Sequence, residues 1–161
     1  MDLRESPARE SVGFLLALAA HRFRMEFERK LEPLGLQVKH FGILATISHF
    51  GPVPQQQLVL SVCIDRTSMV ALIDELEGAR LVERHPDPED RRAYRVHLTA
   101  EGIEANRRAM ELLRESEAEC LKALGAEQRD ELKKILAMLG DFDHSSGFEH
   151  INIKRNTSKS P

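Results

Sequence analysis

Residues 81–102 read LVERHPDPEDRRAYRVHLTAEG, the most informative stretch of the chain. Leu81 and Val82 open a strand, and Tyr94, Val96 and Leu98 alternate with Arg95 and His97 in a second one, with the period of two that sends successive side chains to opposite faces. Between them, Pro86-Asp87-Pro88-Glu89-Asp90-Arg91-Arg92 contains two prolines and five charged residues, a composition suited to an exposed hairpin loop. Thr99 follows as the expected cap of a long helix from about Ala100 to Leu124.

Working back toward the N-terminus, Gln55 to Val62 makes about two helical turns behind Pro54, a residue tolerated where a helix starts because the amide it lacks would be unpaired there. Asp65 can cap a further helix that runs to about Gly78, in which Met69, Leu72, Ile73 and Leu76 share a buried face and Thr67, Ala71, Asp74 and Gly78 point the other way. Two short helices joined by a tight turn and followed by a hairpin make a winged helix-turn-helix. A helix from about Val38 to His49 precedes it, with Phe41, Leu44, Ala45 and Ser48 on one face.

The outer segments are helical too. Phe14, Leu18, His21 and Met25 form a stripe on a long amphipathic helix that Pro33 and Gly35 end, and Leu132, Ile135, Leu136 and Leu139 form another after Gly125. One small winged unit cannot cover that much apolar surface, so a second copy of the chain is the expected cover. The organisation is therefore mainly α with a small β wing. A winged helix-turn-helix domain over 34–99 is flanked by dimerisation helices at 8–32 and 100–143, and a polar tail at 144–161 is expected to be disordered.

Composition narrows the function. The chain has 161 residues, suited to one domain or a small subunit, and 23 Lys plus Arg against 26 Asp plus Glu leave a formal charge of -3. Any nucleic-acid contact must therefore come from a local basic surface. The two cysteines, Cys63 and Cys120, are far apart and form no C-x-x-C pair, which suits a reducing cytoplasm. The apolar run from Val12 to Ala20 is too short to span a membrane. No phosphate-binding Gly-rich loop, G-x-S-x-G or histidine pair at metal-binding spacing is present, so neither an enzyme, a cofactor nor a metal site is expected.

From about Leu34 to Gly102 the chain resembles the MarR family, the multiple-antibiotic-resistance regulators. The likeness rests on the stretch quoted above, with Leu98, Thr99 and Gly102 in its Leu-Thr-x-x-Gly helix start, and on FGILATISHFGPVPQQQLVLSVCIDRTSMVALIDELEGARLVER, where Leu58 and Leu76 stand at apolar anchors. Two departures stand out. Arg80 replaces the Gly that usually precedes Leu-Val-Glu-Arg, so either a residue with a Cβ takes the left-handed helix end or Gly78 absorbs the turn. Ala71 stands where an Arg is common in the recognition helix.

The resemblance implies a homodimeric transcription factor that binds pseudo-palindromic double-stranded DNA, a repressor released by a small aromatic or phenolic effector. In such a fold the helix from Arg66 enters the major groove, and Arg66, Thr67, Ser68, Val70 and Ala71 suit base-edge and thymine-methyl contacts. The acids Asp74, Glu75 and Glu77 all come later in that helix, which keeps repulsion from phosphate at a distance. Arg91 and Arg92 at the loop tip suit the minor groove, and Asp90 is expected to orient the wing by pairing with an arginine rather than to touch DNA. His21 and His40 are candidates for an effector crevice. Two alternatives remain open: a winged-helix module that binds another protein, and thiol sensing through Cys63 or Cys120.

Overall fold

A computed structural model describes residues 10–61, 66–88, 90 and 93–139. Helix α1 spans Val12–Leu31 and runs through a 3₁₀ turn, Glu32–Leu34, into α2, Val38–Phe50. A short strand β1, Val53–Pro54, leads into α3, Gln55–Ser61, and α4, Arg66–Gly78. The hairpin β2, Val82–Pro86, and β3, Tyr94–Leu98, follows, and then α5, Ala100–Cys120, and α6, Ala126–Leu139. The three strands form an antiparallel sheet in the order β1-β3-β2, with Val82 opposite Leu98, Pro86 opposite Tyr94 and Val53 opposite Val96. This is the mainly helical fold with a small β wing that the sequence leads one to expect.

Strand β1 is absent from the sequence reading, where Pro54 appears only as a helix start. Two residues are too few to show an alternating period. Pro54 lies opposite Arg95 on an edge strand, the position in a sheet that best tolerates a missing N–H.

The core lies where α2, α4 and the sheet meet: Ile43, Leu44, Ile47, Leu58, Met69, Ile73, Leu76, Val82 and Val96 are all buried. The apolar face expected for α4 is the buried one, with Thr67, Ala71, Asp74 and Gly78 exposed. For α2 the expected face is rotated: His40, Ile43, Leu44 and Ile47 are buried and Ser48 is exposed. The cause is that α2 touches α1, α3, α4, α5 and β3, so it is enclosed on several sides and a single stripe does not describe it.

The outer helices behave differently. Only Phe27 and Leu31 of α1 are buried, with the Phe27 ring packed edge-on against Phe41 at 5.2 Å, and no residue of α6 is buried. The stripe of Phe14, Leu18, His21 and Met25 is exposed, as are Ile135, Leu136 and Leu139.

The end of α4 settles the alternative raised by Arg80. Arg80 itself takes the left-handed conformation at φ 59, while Gly78 stays helical. The Arg80 N–H donates to the Glu77 carbonyl and the Leu81 N–H to the Leu76 carbonyl, both at 2.9 Å, which satisfies two helix-end carbonyls in the Schellman pattern. A residue with a Cβ meets steric resistance in this conformation, so Arg80→Gly should raise stability by about 0.5–1 kcal/mol in urea denaturation. An unchanged midpoint would show that Arg80 makes up for its backbone through its side chain.

Thr99 joins this turn to α5. Its hydroxyl donates to the Arg80 carbonyl at 2.6 Å and accepts the Gly102 N–H at 2.9 Å, while its own N–H donates to the Leu81 carbonyl at 3.1 Å. The end of α4, both roots of the wing and the start of the long outer helix are thereby tied at one point.

Candidate nucleic-acid interface

Helices α3 and α4 and the hairpin lie consecutively in the chain around one core, and the outward side of α4 is its polar one. Thr67, Val70 and Ala71 are exposed, Val70 to 42%, and Ser68 is half-buried. Arg66 opens the helix; its side chain, like Arg91, Arg92, Cys63 and the tail from residue 140, lies outside the described residues. An exposed valine at this position adds little to the core of its own chain, which fits a side chain kept for a methyl contact.

The three acids of α4 are engaged. The Arg84 guanidinium, projecting from β2, bonds Asp74 and Glu77 and donates from Nε to Gln55 Oε1 of α3 at 3.1 Å, while the Arg84 backbone N–H donates to Glu77 Oε1 at 3.2 Å. One largely buried arginine thus clamps α3, α4 and the wing together and pairs with two of the three carboxylates of α4. Glu75 turns toward α2, where its Oε2 lies 2.9 Å from His40 Nε2.

In the wing, the loop is closed by the Asp87 N–H donating to the Ala93 carbonyl and the Ala93 N–H donating to the Asp90 carbonyl, both at 2.9 Å. The expectation of a wholly exposed loop fails at Asp87, which is only 6% exposed: Arg95 Nε donates to its Oδ2 at 2.9 Å, and this partner makes burial of the carboxylate tolerable. Asp87 with Arg95 thus anchors the root of the wing. Asp90, expected to orient the wing, is exposed, and its backbone carbonyl closes the loop.

On the outer face of the hairpin the His85 and His97 rings stack at 4.3 Å, and Glu83 Oε1 lies 3.1 Å from His85 Nε2. Burial, and then the neighbouring His85, hold the His97 imidazole below its ordinary value; Arg95 acts in the same direction and Glu83 opposes them. The fold therefore binds this proton less well than the unfolded chain does, and stability contributed here declines as the pH falls below about 6.5.

The two histidines expected at an effector crevice differ. His21 is exposed on α1, with Arg24 Nη2 at 3.4 Å from its Nδ1. His40 is buried, and both of its ring nitrogens are occupied by the chain itself, Nδ1 by the Gln37 N–H and Nε2 by Glu75. It serves packing between helices, so an effector would have to displace a bond to use it. Cys120 is half-buried near the end of α5. Among the described residues no three His, Cys, Asp or Glu side chains are grouped to hold a metal ion, and no helix is long and apolar enough to cross a membrane.

Sequence reasoning missed Asp87, Arg84, Gln55 and the His40–Glu75 pair. The sign that could have exposed Asp87 is its place in Pro86-Asp87-Pro88, where restricted backbone holds the carboxylate at the strand end, with Arg95 across the hairpin.

Residues 36–94 match the model of the MarR family. Among solved structures, the transcriptional repressor CouR bound to a 23-mer DNA duplex is similar with a TM-score of 0.79 and 28% identity, over 87% of this chain and 99% of that one. A Mycobacterium tuberculosis MarR-family protein in complex with salicylic acid matches at a TM-score of 0.68 and 29% identity, over 86% and 100% of the two chains. A probable transcriptional regulator from Pseudomonas aeruginosa matches at 0.74 and 26%, over 81% and 98%. The MarR family model falls on the winged helix, over residues 36–94, and the likeness to solved MarR-family structures extends beyond it into the outer helices.

Proposed function

We propose that this protein is a homodimeric transcriptional repressor that grips a pseudo-palindromic DNA duplex, with half-sites about one helical turn apart, and releases it when a small aromatic or phenolic acid binds. The observation that carries the reading is the exposed first half of α4, where Thr67, Val70 and Ala71 face outward while Asp74, Glu75 and Glu77 are held by Arg84 and His40. CouR, bound to its duplex, supports it through likeness of fold over nearly its whole length. No catalytic role is assigned to any residue, and a reducing cytoplasm accords with the reading.

Residues 34–99 read the duplex, and the helices within 8–32 and 100–143 pair with those of a second copy. Support comes from the uncovered apolar side chains Phe14, Leu15, Leu18 and Met25 on α1 and Ile135, Leu136 and Leu139 on α6, a larger surface than a monomer normally leaves in water. The effector reading draws on the salicylic acid complex of the Mycobacterium relative and on Asn106 of α5, whose buried Oδ1 has no hydrogen-bond partner among the described residues. Such an orphan acceptor costs about 1–3 kcal/mol and is one a ligand hydroxyl would satisfy.

Roles within the interface follow from chemistry. Arg66, Thr67, Ser68, Val70 and Ala71 contact bases or adjacent phosphates, Arg91 and Arg92 reach the minor groove, and Asp90 with Asp87 shapes the loop. Thr67→Ala should change which base is preferred at one position, at a cost of about 1–3 kcal/mol for the matched pair. Arg92→Ala should weaken all duplexes alike and reduce the salt slope by about one for each phosphate that its guanidinium neutralises. Selection of bound duplexes from a random pool at two salt concentrations separates the two patterns, and competition with a panel of aromatic acids tests release. If the Thr67 variant loses affinity uniformly, Thr67 is a backbone contact; if no acid releases the duplex, the effector class is wrong.

A further inference from the structure

We propose that His40 and Glu75 form a strut that sets the angle of α4 against the linker between α1 and α2, which makes His40 a positioning residue for DNA recognition. The inference rests on α4 being the helix that enters the groove.

Each carboxylate of α4 is attached to something outside the helix. Asp74 and Glu77 go to Arg84 on the wing side, and Glu75 goes to α2. The helix is thus braced from two directions, and of these braces the one through His40 reaches toward the outer helices. The side chain of His40 is 7% exposed. Its Nδ1 accepts the N–H of Gln37 at 3.2 Å, which leaves the ring proton on Nε2, and Nε2 then donates to Glu75 Oε2 at 2.9 Å.

Gln37 is the N-cap of α2, two residues past Gly35, which takes the left-handed conformation at φ 65, and one past Leu36, which is buried. The imidazole therefore joins the backbone of the linker on one side to the reading helix on the other. Being packed, the ring cannot swing aside, so a shift of the linker moves Glu75 instead of being absorbed. Glu75 lies one turn beyond Ala71 on the same side of α4, and its own side chain is 58% exposed. The strut acts close to the base-reading residues and holds back a carboxylate that would otherwise be free to approach phosphate.

The test uses the full chain and a duplex library in which the spacing between half-sites varies. Glu75→Ala should lose about tenfold in affinity at the preferred spacing and accept an inserted base pair that the parent rejects. Glu75→Gln, whose amide oxygen still accepts from Nε2, should restore both properties to within about twofold. His40→Ala should match Glu75→Ala, and the double variant should be no worse than either single one. If His40→Ala does not fold, the two Glu75 variants decide the matter, because that side chain is largely in water.

Equal effects of Glu75→Gln and Glu75→Ala would show that only the charge matters and would overturn the strut, as would effects of the two alanine variants that multiply. A parent protein that enriches no duplex overturns the DNA reading itself. A parent that enriches one while all variants behave alike overturns only this proposal.

Discussion

Gly102→Ala should lower the stability of the fold by about 2–4 kcal/mol, although the same change inside most helices raises it by about 1 kcal/mol. The sign is set by what lies beside the residue. A Cβ on Gly102 would overlap the carbonyl oxygen of Leu81 and lie 2.9 Å from its carbonyl carbon, and these are backbone atoms that cannot rotate away. That carbonyl already accepts the Thr99 N–H, and the Leu81 N–H closes the end of α4, so the oxygen is held from both sides. To admit the methyl group, α5 must move off the wing root, breaking the Thr99 cap or the turn at Arg80. Urea denaturation measures the loss, and the damage should extend to DNA binding because α4 ends at the same point. A variant as stable as the parent would mean that α5 can shift away from Leu81 without disturbing the cap.

Arg84→Ala should reduce DNA affinity by about tenfold to a hundredfold and stability by about 1–3 kcal/mol. The side chain is 18% exposed and bonds three partners on two helices. Its removal returns Asp74 and Glu77 to solvent as uncompensated negative charges on the helix proposed to meet phosphate, and it also frees α4 from β2. Both carboxylates are substantially exposed, at 59% and 41%, so they rehydrate once the arginine is gone; this keeps the stability cost moderate and makes binding the more sensitive readout. Adding Asp74→Asn and Glu77→Gln to Arg84→Ala should recover part of the affinity by removing the repulsion, leaving the loss from the freed helix. Undiminished binding by Arg84→Ala would remove α4 from the DNA-facing side.

What could be read from sequence follows how local each feature is. The buried face of α4 and the alternation in β3 are visible because the period of one helix or strand reports which side meets the core, and Met69, Leu72, Ile73 and Leu76 are indeed inside. The excess apolar surface of α1 and α6 is visible for the same reason, since their stripes are left uncovered by the described residues. The face of α2 is not legible in this way, because enclosure by five other elements is a property of the assembled fold.

The polar framework of the site is also largely hidden in the sequence. Arg84 meets Asp74 and Gln55 across 10 and 29 residues of chain, and His40 meets Glu75 across 35. No spacing rule for one element connects such pairs. A sequence shows that acids follow the exposed start of α4, whereas only the fold shows that they are attached to their neighbours. Arg80 is the reverse case: its departure from glycine marks a strained turn, and the left-handed backbone stands at that residue.

The twofold reading of DNA is tested most directly by native mass spectrometry of the full chain with the duplex it selects. The expected result is two chains on one duplex whose sequence is an inverted repeat, with centres about one helical turn apart, and no stable complex with either half-site alone. A single chain bound to one half-site with undiminished affinity, or a duplex without twofold symmetry, would contradict it.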